Sequence, residues 1–284
     1  LVNSPTRPST HLDKSEVLDG LFAVWDAIDL LMTGLPDARW QSPTPLPGWC
    51  VHDVVAHVIG TESMLFGVAT PGLDVDVSTL SHVRNGIGEL NECWVQHLRG
   101  ETGDDVLTRF RDVTAQRKEM LTNMTDADWN AVTMTPAGQD TYGRFMRIRT
   151  FDCWMHEQDI RSALSRPPSD ADLDGPTARL ALDEMAASMG FVVGKLGKAP
   201  DGARVAFELT GPMARTIRVA VDGRAAVVDD FGGAEPTTVI RLDGLQFTRL
   251  CGGRPMGTDR STEIEVEGDA EVGRRIVDHL AYVI

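Results

Sequence analysis

The segment RIRTFDCWMHEQDIR, residues 147–161, sets Asp152 and His156 four positions apart. On a helix this spacing puts both side chains on one side, one turn apart, where a carboxylate oxygen and an imidazole nitrogen can face a common ion. Both are ordinary zinc ligands. A surface salt bridge or a helix cap has the same spacing, so the pair needs a third donor before it reads as a metal centre. GWCVHDVVAHVIG supplies a candidate, His57, set among Val54, Val55, Val58 and Ile59. A lone histidine on an apolar face is more often a hydrogen-bonded core residue than a ligand, and Asp53, four residues away, is a rival partner for it. His52 is polar enough to face water. Three protein ligands leave a fourth position for water or substrate, the coordination of a catalytic rather than a structural zinc. Zinc so held lowers the pKa of bound water or stabilises a bound thiolate near neutral pH, and either serves group transfer.

Helices must position these groups. From Ser15 to about Leu35 the apolar residues Val17, Leu18, Leu21, Phe22, Trp25, Ile28, Leu31 and Met32 recur at three- and four-residue steps, one face of an amphipathic helix. After the Pro-rich connection QSPTPLPGW the pattern resumes at Val51 and fades before Pro71, a second helix that carries His57. Segments near Val83 to Leu98 and Asp105 to Met124 read as two more, and Tyr142 to Leu164, stopped by Pro167-Pro168, reads as a fifth that carries Asp152 and His156. Another helical pattern runs from Gly175 to Leu196. Beyond GKAPDG the period falls to two in VAFEL, TIRVAV, TVIRLD and IEVEG, with turns at Gly211-Pro212 and Asp222-Gly223. Short helical patterns at Leu245 to Cys251 and Ala270 to Val283 are interleaved with these strands, which predicts an α+β layer.

The chain has 284 residues, 42% of them hydrophobic and 24% charged, enough to bury the cores of two domains. Its net charge of -15 repels polyphosphates and anionic lipid, so neither nucleic acid nor a membrane is an expected partner. No apolar run is long enough to span a bilayer, and the opening segment LVNSPTRPSTHLDK lacks a secretion signal's apolar stretch, which predicts a cytoplasmic protein. Cys50, Cys93, Cys153 and Cys251 show no CxxC spacing, which argues against a disulfide framework or a thiolate zinc finger and predicts buried free thiols. The expected divisions are a flexible leader at 1–14, a metal-binding helical bundle at 15–170, a linking helix at 171–200 and an α+β domain at 201–284.

In these segments the chain resembles the mycothiol-dependent maleylpyruvate isomerase family of actinobacteria, a branch of the DinB-like four-helix bundles. LPGWCVHDVVAHVIGTE resembles the family's GW-x-x-x-D-x-x-x-H segment, and FDCWMHEQDIRSALSRP its metal-binding helix. LCGGRP with IEVEGDAEVGRRIVDHL resembles its C-terminal domain, so the likeness runs through nearly the whole chain after residue 14. The resemblance implies an α+β protein, a DinB-like up-and-down bundle followed by a small sterol-carrier-like domain. It also implies a divalent metal, zinc or another, on His57, Asp152 and His156, and mycothiol as the thiol cosubstrate. The isomerase carries Glu where this chain has Asp152, a shorter side chain that has to approach the ion differently.

In the family the thiol adds to a double bond, lets it rotate and leaves, and related bundles transfer a thiol onto electrophiles. The resemblance therefore implies an isomerase or thiol S-transferase acting on a small electrophilic substrate, as a monomer or homodimer. The sterol-carrier-like domain of the family lends an arginine for the substrate carboxylate, expected here at Arg254, with Arg249 second and a surface salt bridge the plain alternative. Asp159 reads either as an acceptor that orients His156 or as an ion-pair partner of Arg161 or Arg149. Trp49 and Trp154 read as pocket walls or core aromatics. The competing function is a non-catalytic small-molecule or lipid binding module with a structural or vacant metal site.

Overall fold

The computed structural model describes residues 7–283. They form two compact units, one ending at Arg166 and the other beginning at Pro167. The fold class is α+β, a helical unit followed by a sheet unit, as expected.

The first unit is built on α1 (Lys14–Met32), α2 (Val51–Leu65), α3 (Gly86–Leu98), α4 (Gly103–Thr122) and α5 (Tyr142–Leu164). Local chemistry sets their ends. Asp13, Thr102 and Thr141 cap α1, α4 and α5 by accepting backbone N–H groups of the first turn. Asp53, at the third position of α2, accepts the Cys50 N–H as half of a capping box. α5 stops at Ser165, whose φ of 55° is left-handed, two residues before Pro167. Leu21, Trp25 and Ile28 of α1 are buried with Val54, Val55 and Val58 of α2, Val95 of α3, Phe110 of α4 and Ile160 of α5. α2 packs against α3, α4 and α5, and α1 against α4 and α5. The α2–α5 contact is the one that matters for the site, because it joins the helix of His57 to that of Asp152 and His156.

A hairpin of β1 (Val132–Thr135) and β2 (Gly138–Thr141) leads into α5. Its strands have four residues each and little apolar alternation, so periodicity does not reveal them. It anchors the N-terminal segment: Thr10 donates its N–H and hydroxyl to Asp140, and Trp129 Nε1 donates to the Leu12 carbonyl. Residues 1–6 of the expected leader lie outside the described residues.

In the second unit, α6 (Pro176–Phe191) continues into a π-helical turn at Val192–Leu196. The sheet contains β3 (Arg204–Thr210), β4 (Arg215–Asp222), β5 (Arg224–Val228), β6 (Thr238–Asp243) and β7 (Glu265–Gly268), in the order β5-β4-β3-β6-β7. Only β3–β6 is parallel. α6 packs against β4 and β5, and α7 (Gly244–Cys251) against β3 and β6, with Phe207 and Phe247 at 5.8 Å between ring centroids. α8 (Ala270–Asp278) packs against β6 and β7 and ends short of the expected Val283. β5 is the strand that periodicity missed; it follows the tight turn at Gly223, whose φ of +65° suits glycine.

Among the described residues no helix is long and apolar enough to cross a membrane. The expectation of buried free thiols holds for Cys153 and Cys251, whereas Cys50 and Cys93 are only half-buried. Cys50 precedes the first turn of α2 and Cys93 sits on a partly exposed face of α3, where neighbours do not close over them.

The α2–α3 packing is close at Gly60, where an added Cβ would fall 2.4 Å from Trp94 Cγ. Gly60→Ala is expected to destabilise the protein by about 1–3 kcal/mol despite alanine's better helix propensity. Urea unfolding reads this, and a stabilised variant would refute the packing argument.

Candidate metal centre

His57 comes from the middle of α2, and Asp152 and His156 from consecutive turns of α5. One potential ligand atom from each lies within 4.8 Å of the others. His57 Nε2 is 3.3 Å from Asp152 Oδ2, and His156 Nε2 is 3.4 Å from Asp152 Oδ1. The imidazoles meet edge to face at 4.7 Å. Both histidines are buried, while the Asp152 side chain keeps 32% of its surface, which leaves a side from which a further ligand can approach.

The surrounding groups fix these three. His156 Nδ1 lies 3.1 Å from Asp159 Oδ2; a carboxylate can only accept, so Nδ1 carries the proton and in the neutral ring Nε2 presents its lone pair. Of the alternatives for Asp159, the orienting contact to His156 is therefore made. Asp53 does not pair with His57: it is held by Arg99 at 3.0 and 3.2 Å as well as by the Cys50 N–H. His52, expected to face water, is buried and donates from Nε2 to the Glu101 carbonyl, because its turn of α2 packs inward. Trp49 tilts beside both imidazoles, 5.3 Å from His57 and 6.4 Å from His156, with Nε1 donating to Glu92. Trp154 is 2% exposed and is a core residue.

Sequence reasoning missed the charge network behind the ligands. Arg149 Nη1 donates to Asp152 Oδ2 at 2.6 Å, while Nε and Nη2 both reach Glu62 Oε1 at 2.8 Å. Arg117 Nε donates to Glu62 Oε2 at 2.9 Å. Glu62 lies five residues beyond His57 and Arg149 three before Asp152, so the available signal was a carboxylate whose neighbours at helical spacing, Val58, Ile59, Leu65 and Phe66, are all apolar.

Electrostatics divide the two histidines. Burial holds the His57 pKa below its ordinary value, against the pull of Asp152. Burial also opposes charge on His156, but Asp152 and Asp159 together outweigh it and raise its pKa. Asp152 loses solvent too, yet His156 and Arg149 hold its carboxyl well below the usual range, so it is ionised at neutral pH. A neutral imidazole, an orientable second imidazole and an ionised carboxylate are the donor states a divalent ion requires. His57 presents Nε2 toward Asp152, while its Nδ1 is buried with no hydrogen-bond partner. The donor set therefore fits a divalent ion.

The signs of these shifts give a pH dependence for the metal-free chain. His57, lowered, contributes stability above the ordinary histidine value of 6.5 that is lost as pH falls below it. His156, raised, contributes stability below 6.5 that is lost as pH rises through its folded value. Nitrogen-detected NMR on the chelated protein is expected to find His156 titrating above and His57 below the free-histidine value; coincident titrations would contradict the arrangement.

Residues 21–161 match the family model of the Mycothiol maleylpyruvate isomerase N-terminal domain, and residues 179–275 that of the MDMPI C-terminal domain. Uncharacterized proteins of Mycobacterium tuberculosis, from strains CDC 1551 and H37Rv, are 25% identical over 155 residues. That match covers 54% of this chain and spans only 58% of each relative. The crystal structure of the mycothiol-dependent maleylpyruvate isomerase superposes with a TM-score of 0.58 at 15% identity, covering 90% of this chain and 93% of that one. A mutant of that isomerase gives 0.57 at 14% with the same coverage. At such identity the structural likeness is one of fold, and the family models supply the kinship. By its matches in both units, the chain belongs to the mycothiol maleylpyruvate isomerase family.

Proposed function

We propose that the chain is a zinc-dependent, mycothiol-using isomerase or thiol transferase acting on a small electrophilic substrate, with His57, Asp152 and His156 as the metal ligands. The observation that carries this reading is the convergence of those three donors, from two helices, within 4.8 Å on a site with one open side. Family membership supports the thiol. A divalent ion held there supplies the positive charge that keeps a thiol ionised near neutral pH.

In this reading the nucleophile is an external thiol. Cys153, beside Asp152, is fully buried, and desolvation pushes its thiol up to about 12. Cys50, next to Trp49, is raised by the same cause. Raised thiols are poor sources of thiolate, which supports mycothiol rather than either of these two as the reacting thiol. Asp159 holds the His156 ring, Glu92 holds the Trp49 indole, and the indole gives the site an apolar wall that keeps water from the imidazoles. We assign the substrate carboxylate to Arg254. The support is the resemblance of LCGGRP to the family's C-terminal domain; Arg254 is half-buried and donates from Nη1 to the Gly252 carbonyl. Free cysteines fit a reducing, cytoplasmic setting.

Protein purified without chelator is expected to carry one zinc per chain by elemental analysis and to convert an α,β-unsaturated acid only when mycothiol is present, either isomerising it with the thiol returned or adding the thiol to it. His57→Ala combined with His156→Ala is expected to lose both properties. Full turnover by that double variant would sink the proposal. Arg254→Ala is expected to raise KM for an acidic electrophile about tenfold or more, as loss of a charged hydrogen bond does, without changing zinc content; an unchanged KM removes Arg254 from the substrate site.

A further inference from the structure

The metal reading leaves open why a buried arginine sits against a metal-binding carboxylate, where its charge opposes that of the ion. We propose that Arg149 is a positioning residue that takes one oxygen of Asp152 and leaves the other as a single, directed metal donor. The inference rests on the metal reading above and concerns how the carboxylate is held.

The two oxygens of Asp152 are not equivalent. Oδ2 accepts from Arg149 Nη1 at 2.6 Å and lies 3.3 Å from His57 Nε2, whereas Oδ1 lies 3.4 Å from His156 Nε2. A charge-assisted hydrogen bond that short takes one lone pair of Oδ2 and draws on its charge, so Oδ1 is the better donor left to an ion. Asp152 is half-buried, and a short carboxylate with an exposed side would otherwise turn between one-oxygen and two-oxygen coordination.

The arginine cannot swing away from this duty. Its Nε and Nη2 are engaged by Glu62 Oε1 at 2.8 Å, and Nη2 also reaches Cys153 Sγ at 3.4 Å. Glu62 is held from its other oxygen by Arg117, and both of those side chains are 0% exposed. Arg117 Nη1 is fixed in turn by the Tyr142 hydroxyl at 3.0 Å. Two arginines face the two carboxylates, so Asp152 is oriented before any ion arrives. Because Glu62 is on α2 and Arg149 on α5, the same contacts also fix the spacing of the helices that bring His57 to Asp152.

A purely structural ion pair predicts a different outcome from a positioning one. Arg149→Lys keeps a cation but not the planar fork that reaches both carboxylates at once; Arg149→Gln removes the charge. Each is titrated as the full chain with zinc against a chelating dye, refilled with cobalt(II) for its absorption spectrum, and melted in chelator. In Arg149→Lys the chelated melting temperature is expected to fall while the protein stays folded, and the zinc Kd of the folded protein, measured well below that temperature, is expected to rise about tenfold to hundredfold, the usual cost of losing a partner that orients a ligand. Its cobalt bands are expected to shift as the carboxylate changes its mode of binding. Unchanged zinc affinity and cobalt spectrum in either folded variant would overturn the proposal. Should Arg149→Gln fail to fold, Arg149→Lys and the X-ray absorption of wild-type zinc protein decide it: both Asp152 oxygens bound to the ion refutes the assignment. A wild-type chain that binds no zinc removes the metal reading itself, whereas wild type and variants that bind equally remove only the role of Arg149.

Discussion

The candidate site depends on a carboxylate buried between two arginines. Glu62, from α2, is gripped by Arg149 of α5 on one oxygen and by Arg117 of α4 on the other, with Glu62 and Arg117 shut off from water. Charges taken out of solvent cost several kcal/mol each unless every one is answered, and removing a single partner leaves the others stranded. The three helices therefore have one arrangement in which this network is complete. That arrangement also sets His57 opposite Asp152, so the charge network and the candidate metal ligands are two consequences of the same packing.

Within that frame the protein separates roles that the sequence leaves looking alike. Two histidines a few ångströms apart are driven in opposite directions, His57 by loss of solvent and His156 by the carboxylates of Asp152 and Asp159. Two aspartates on one helix divide as well: Asp152 faces both imidazoles, and Asp159 stands behind one of them. Asp53, equally close to His57 in sequence, belongs to the cap of α2 and to Arg99. The difference in each case is which helix lies opposite.

The second unit shows the same sorting among arginines. Arg249 and Arg254 are near neighbours after β6, yet Arg249 is folded back onto Asp259 and Gln246 from the last turn of α7. Arg254, five residues on, donates from Nη1 to the Gly252 carbonyl. The mixed sheet beneath them, with β3 and β6 parallel at its centre, is an ordinary scaffold whose helices cover its apolar residues.

The sequence alone determined the long elements and the ligand spacing. Three- and four-residue apolar steps set out α1, α2, α4 and α5 with small errors at the ends, and alternation marked β3, β4, β6 and β7. These patterns are legible because helix and strand each impose a fixed repeat on whatever is buried. The i, i+4 placement of Asp152 and His156 belongs to one helix and needed no tertiary knowledge. Short pieces such as β1, β2 and β5 carry too few residues to establish a period. Tertiary structure alone decided that His57 joins the pair rather than Asp53, that His52 is buried, and that Glu62, Arg117 and Arg149 stand behind the ligands. The physical reason is that a buried charge is settled by partners on other helices, and their approach is a property of packing that no spacing along one segment records.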